Sequence, residues 1–132
     1  MIDHTNVCIP QDRFEECHKF YLGALSGLGY EQKMQFGPYA VGLGEVESSV
    51  PGYVPTDFWL MGCEQKDLPK FHTAFRAKDR ATVDAFYEAA IKAGGKDNGP
   101  PGVRSHYHAN YYAAFITDPL GNNIEAVCHS PA

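Results

Sequence analysis

Residues 72–95 read HTAFRAKDRATVDAFYEAAIKAGG, and they echo residues 4–29, HTNVCIPQDRFEECHKFYLGALSGLG. His4-Thr5 recurs as His72-Thr73, 68 residues on, and Gly29 recurs as Gly95, 66 residues on. Phe20-Tyr21 falls within a residue or two of Phe86-Tyr87 on the same offset. A repeat of this length must be recognised before a fold is assigned, because it sets the size of the structural unit. Each copy opens on an alternating stretch: His4, Asn6 and Cys8 oppose Thr5, Val7 and Ile9, and His72, Ala74 and Arg76 oppose Thr73, Phe75 and Ala77. A period of two reads as a strand, with a histidine at the head of its more polar face. A helix follows in each copy. Phe14, Cys17, Phe20, Tyr21, Ala24, Leu25 and Leu28 recur at helical spacing before the glycines at 27 and 29, and Val83, Phe86, Tyr87, Ala90 and Ile91 do so between an Asp79 N-cap and Gly94-Gly95.

Short apolar segments separated by turn residues complete both copies. In the first they are YEQKMQF, AVGLG and DFWLMG; in the second, an ill-defined stretch near Val103, then YYAAFIT and NIEAVCH, the last two joined through Asp118-Pro119 and Gly121-Asn122. The plan is strand, helix, three strands, made twice. This predicts an α+β protein of two βαβββ modules, residues 1–61 and 71–129, forming a single domain over 1–132 with a linker near 62–70. The segments 45–56 and 98–110, rich in turn residues, are expected as loops at the mouth of a site.

Composition narrows the function. Eleven Lys and Arg against 16 Asp and Glu leave a net charge of −5 without a long run of either sign, so nucleic acid and anionic membrane are not expected partners. The first ten residues lack a basic segment followed by an apolar stretch, and no span reaches about 18 apolar residues, so a cytoplasmic protein is expected. The four cysteines, Cys8, Cys17, Cys63 and Cys128, are widely spaced and read as free thiols.

The last segment carries an anomaly. Glu125 sits within Ile124, Ala126, Val127 and Cys128, an apolar run that a carboxylate enters only when its charge is compensated. Alternation turns Glu125 away from Ile124, Ala126 and Cys128. If the two modules are related by a local twofold, His4 and His72 approach each other and Glu125 faces the same cavity. Two imidazoles and a carboxylate suit one divalent metal ion, whether zinc, nickel, iron, manganese or cobalt, with positions left for a small-molecule substrate.

Taken together, the paired modules, a histidine heading the first strand of each, and the ending DPLGNNIEAV over residues 118–127 resemble the vicinal oxygen chelate superfamily, which includes glyoxalase I, extradiol dioxygenases and bleomycin-binding proteins. The resemblance covers nearly the whole chain. It implies a cupped mixed sheet with helices outside, a metal in the cup held by His4, His72 and Glu125, and a substrate chelating through neighbouring oxygens. A glyoxalase-like lyase or isomerase is the reading it favours, with Glu125 as base. Matching DFWLMG to NIEAVC at the 66-residue offset puts Trp59 where that family's glyoxalases carry a fourth ligand, so this ligand is absent.

Three ligands also match an extradiol-type dioxygenase with a two-His one-Glu iron site. His108 then stands at a suitable distance before Asp118-Pro119, but Phe115 replaces the expected tyrosine, and Tyr111 on the same face is the candidate substitute. Arg76, Arg104, His106, Trp59 and Phe115 are candidate substrate contacts. The third class is a metal-free small-molecule binding or resistance protein, suggested by Trp59 in place of a ligand. Open sheet edges and the resemblance together imply a twofold homodimer, in which the site forms within one chain or is shared between two.

Overall fold

The computed structural model describes residues 1–46, 48 and 50–132, so the part of the expected 45–56 loop at positions 47 and 49 lies outside the described residues. The chain adopts the plan its repeat predicts. Strand β1 (Thr5–Pro10) leads through a short 3-10 turn at Gln11–Arg13 into helix α1 (Phe14–Ser26), followed by β2 (Tyr30–Phe36), β3 (Ala40–Glu45) and β4 (Phe58–Cys63). The second module runs β5 (His72–Arg76), α2 (Arg80–Lys92), β6 (Lys96–Val103), β7 (Tyr112–Thr117) and β8 (Asn123–Cys128). Two four-stranded sheets result, ordered β1-β4-β3-β2 and β5-β8-β7-β6. In each, the first strand pairs parallel with the last and the other pairings are antiparallel, so both sheets are mixed.

The two registers superpose the modules residue by residue. Asn6 lies opposite Trp59 on the first sheet and Ala74 opposite Glu125 on the second, so Trp59 and Glu125 occupy equivalent positions. Alternation then sorts the faces. Val7, Ile9, Phe58, Leu60, Phe75, Ile124, Ala126 and Cys128 point into one hydrophobic core beneath the helices, leaving Trp59 and Glu125 on the opposite, cupped face.

That core joins the modules. The Phe75 ring meets Phe58 edge-on at 5.2 Å between centroids and Tyr30 at 5.6 Å, while Tyr21 of α1 packs on Phe58 at 5.4 Å. Such tilted and edge-to-face contacts add to the burial of large rings. A polar tie runs alongside: the buried Tyr21 hydroxyl donates to Asp118 Oδ2 at 2.5 Å, across the module boundary. The helices also touch closely. A methyl group on Gly27 would stand 2.6 Å from the Ala85 carbonyl oxygen and 2.7 Å from Phe86 Cα, so only glycine permits this approach. The Asp79 cap forms as expected, its Oδ1 accepting from the Thr82 amide at 2.8 Å.

One expectation is corrected. Residues 98–103, anticipated as loop because of Pro100-Pro101, belong to β6. Prolines cannot donate to a ladder, but β6 is the sheet's outer strand, and its register slips between Asp97 and Gly99 and again between Gly99 and Gly102. The prolines occupy that irregularity, where no ladder donor is required. The remainder of the stretch, residues 104–111, forms turns ahead of β7. Among the described residues no helix is long and apolar enough to cross a membrane.

Candidate functional site at Glu125

Glu125 is 2% exposed, yet both its oxygens are engaged. Oε1 accepts from the Tyr111 hydroxyl at 2.5 Å, and Oε2 lies 3.0 Å from His72 Nε2. Strand pairing produces this convergence, because His72 heads β5 beside the N-terminal end of β8, and Tyr111 precedes β7 on the other flank. The second imidazole nitrogen of His72 decides the chemistry. Nδ1 sits 3.0 Å from the Asn123 carbonyl oxygen, which can only accept, so Nδ1 carries a proton and donates. Nε2 can rest 3.0 Å from Oε2 only when a proton is shared between them or a cation lies there. The buried carboxyl anticipated from the sequence is therefore compensated by a proton shared with His72 or by an ion bridging the two.

Two donors thus converge on one point. Their 3.0 Å separation suits neighbouring ligands each about 2.1 Å from one ion, and the Asn123 carbonyl behind His72 is the kind of partner that orients a ligating imidazole. His4 does not join them. Its side chain is exposed, Nδ1 is 2.7 Å from Asp3 Oδ1, and it lines a separate cavity of about 440 Å³ with Asn6, Phe36, Ala40, Trp59 and Met61. Among the described residues no group of three or more His, Cys, Asp or Glu side chains is placed to hold a metal ion. One chain alone supplies two fitting donors of the three expected.

The other candidates divide among three places. Phe115 pairs with Glu125 across β7 and β8, and the Arg104 guanidinium lies 5.4 Å over the Phe115 ring while Nη2 donates to the Pro100 carbonyl. His106 packs on Tyr107 at 4.2 Å and Tyr107 on Tyr111 at 4.7 Å, so the 104–111 turns bring their aromatics together beside the tyrosine that holds Glu125. His108 contacts Tyr111 edge-on at 5.5 Å. Arg76 ends β5 and lines a different cavity with Gly27–Gly29, Glu45, Lys78 and Thr82. Trp59 stacks on the exposed Phe36 at 5.9 Å and 10°, leaving an aromatic surface in the first module where the second has its carboxylate.

Two participants escaped sequence reasoning. Phe36 ends β2, a strand away from Trp59, and only the sheet register brings it there. His129 follows β8, and counting alternate positions onward from Glu125 through Val127 would have placed it on the cupped face. Burial first, then the hydrogen bond to Glu125, pushes the Tyr111 phenol up to about 12, so it remains a proton donor to the carboxylate at neutral pH.

Comparison with known proteins adds to this geometry. A family model described as the Glyoxalase/Bleomycin resistance protein/Dioxygenase superfamily matches residues 2–126. No curated protein matches the chain. Solved structures similar to it include a glyoxalase/bleomycin resistance protein from Albidiferax ferrireducens, at 23% identity and TM-score 0.70, covering 96% of this chain and 98% of that one. A glyoxalase/bleomycin resistance protein/dioxygenase family enzyme from Burkholderia phytofirmans matches at 18% identity and TM-score 0.69, covering 98% of each chain. A lactoylglutathione lyase from Agrobacterium tumefaciens matches at 16% identity and TM-score 0.65, covering 97% of this chain and 92% of that one. At these identities the likeness establishes the fold.

Proposed function

Because the chain belongs to the glyoxalase/bleomycin resistance protein/dioxygenase superfamily, we propose that it is a metal-dependent, glyoxalase-like enzyme of the lyase or isomerase type, acting on a small substrate with neighbouring oxygens. The observation that carries this reading is the buried Glu125, with Tyr111 on one oxygen and His72 on the other. His72 and Glu125 would hold one divalent ion, which supplies Lewis acidity toward the substrate oxygens. Glu125 is also the base that takes a proton from substrate carbon, and the Tyr111 hydroxyl steadies the carboxylate by donating to Oε1. Phe115 and Arg104 border the same face and shape the space the substrate enters.

The missing third donor points to a second copy. His4 stands exposed just ahead of β1, beside its neighbour Asp3, and β1 and β5 lie at the ends of their sheets. A twofold homodimer that sets His4 of one chain beside His72 and Glu125 of another completes the site. Heterodimers made by refolding His4→Ala with Glu125→Ala test this directly. One intact site, hence metal content near half that of the wild type after reconstitution, is the expected result. No recovery in a proven heterodimer refutes sharing, and a wild type that takes up no zinc, nickel, iron or manganese refutes the metal reading. Isomerisation of a hemithioacetal under nickel or zinc, measured beside oxygen uptake with catechols under iron, separates the lyase from the dioxygenase alternative.

A second reading has its own support. The stacked Trp59 and Phe36 line an open cavity in which an apolar ligand could bind without turnover. Trp59 is the single tryptophan. Quenching of its fluorescence by aromatic ligands that are recovered unchanged, with metal present, supports a binding protein; product formation eliminates that account.

A further inference from the structure

We infer that His129 is a positioning residue, which through His108 holds Tyr111 on Glu125. The inference rests on the reading of Glu125 as the working carboxylate, but it concerns a residue beyond the segment that the family model matches. His108 and His129 stack at 28° with centroids 5.1 Å apart, and His108 Nε2 lies 2.9 Å from His129 Nδ1. The hydrogen atoms in this pair are determined by the backbone. The Asn110 amide donates to His108 Nδ1 at 3.1 Å, so that nitrogen carries a lone pair and the proton of neutral His108 is on Nε2. His108 Nε2–H then donates to His129 Nδ1, and the proton of His129 is on its Nε2. One backbone amide thereby sets the tautomer of two imidazoles in sequence.

The pair acts on the site through Tyr111. Its ring receives both imidazoles edge-on, His108 at 5.5 Å and 75° and His129 at 5.3 Å and 79°. Tyr107 packs on the same ring, and the Arg104 amide donates to the Tyr111 carbonyl at 2.7 Å, closing the turn from which His108 projects. His129 follows the strand that carries Glu125, whereas His108 and Tyr111 come from the turns before β7. Their bond therefore pins the turns to β8 at the place where the phenol must meet the carboxylate. Without it, Tyr111 keeps its backbone hydrogen bonds but loses the wall that aims its ring.

Two measurements without metal or substrate test this. Nitrogen-15 spectra of the imidazoles, assigned by the single variants and recorded where all are neutral, should show both His108 and His129 protonated at Nε2. Protonation of His108 at Nδ1 overturns the proposal. The second measurement is the order of the Tyr111 ring, read at neutral pH from carbon-13 relaxation of its ring positions. The wild-type ring should be as rigid as its own backbone, and His129→Ala should leave the ring mobile on an unchanged backbone. His129→Asn retains an acceptor at the Nδ1 position and should restore the rigid ring. A ring equally ordered in His129→Ala, or an Asn variant indistinguishable from Ala, refutes the role. Because neither readout involves an ion, the result stands apart from the outcome of metal reconstitution.

Discussion

Glu125→Gln is expected to abolish divalent-metal binding while leaving the thermal midpoint of the metal-free protein unchanged or higher. Glutamine preserves shape and can still accept from the Tyr111 hydroxyl, so the buried packing survives. What disappears is the negative charge. A carboxylate that is 2% exposed and paired with one imidazole has given up much hydration, and the half-exposed His72 is not left as a stranded charge, because its neutral form has a lone pair on Nε2 that can accept from the glutamine amide. Binding behaves oppositely, since loss of a ligand should exceed the roughly 10–100-fold cost of losing a group that merely orients one. Calorimetric titration of wild type and variant with zinc or nickel, beside thermal unfolding of both, provides the check. Equal affinity in the two proteins would remove Glu125 from the metal site, and a large fall in midpoint would make it a structural residue.

Asp118→Ala should cost about 3–5 kcal/mol of stability. Asp118 is buried and accepts from the Tyr21 hydroxyl at 2.5 Å, the Leu120 amide at 2.9 Å, the Asn122 amide at 2.8 Å and Asn122 Nδ2 at 2.9 Å. Asn122 in turn accepts from the Phe71 amide, so the turn before β8 and the segment before β5 depend on one carboxylate. Removing it strands buried donors, each costing about 1–3 kcal/mol when left unpaired. The Tyr21 phenol is already pushed well above its ordinary value, by burial first and by Asp118 second, so it cannot escape by ionising. Against a total of about 5–15 kcal/mol for a domain, this places the variant near its unfolding threshold at room temperature. Urea titrations of Asp118→Ala, Tyr21→Phe and the double variant give the measure. The double variant should lose less than the two singles summed, because they share one bond. A single-variant loss below about 1 kcal/mol would show that the network is not a support of the fold.

Asp118 and Glu125 have different roles. The sequence places Asp118 in a turn and Glu125 within an apolar strand, but it does not supply the partners of either. Their surroundings do: Asp118 receives hydrogen bonds from its own turn and from α1, whereas Glu125 faces away from the helices with a titratable imidazole on one oxygen.

Much of the fold was legible because its signals are local or periodic. Alternation marks β1 and β5, 3.6-residue spacing marks both helices, and the 66–68-residue offset reveals that one supersecondary unit is made twice. The offset also carried the match of Trp59 to Glu125, which strand pairing reproduces residue for residue. The exception was β6, since Pro100-Pro101 reads as a loop wherever one does not know that the strand lies at the sheet's edge.

By itself, then, the sequence determined which residues are strand and helix, β6 apart, which face of each is apolar, and that a carboxylate stands on the polar face of the last strand, because backbone periodicity records those facts in the order of residues. Only the tertiary structure decided which side chains meet. Symmetry between repeats suggested that His4 and His72 would converge, but sequence equivalence does not specify how the modules are placed in space, and the chain brings His72 alone to Glu125. Tyr111 on Glu125, Phe36 on Trp59 and His129 on His108 likewise depend on register, turn geometry and packing between segments far apart in sequence. Such contacts are set by the joint burial of a whole core, and no single stretch of residues contains them.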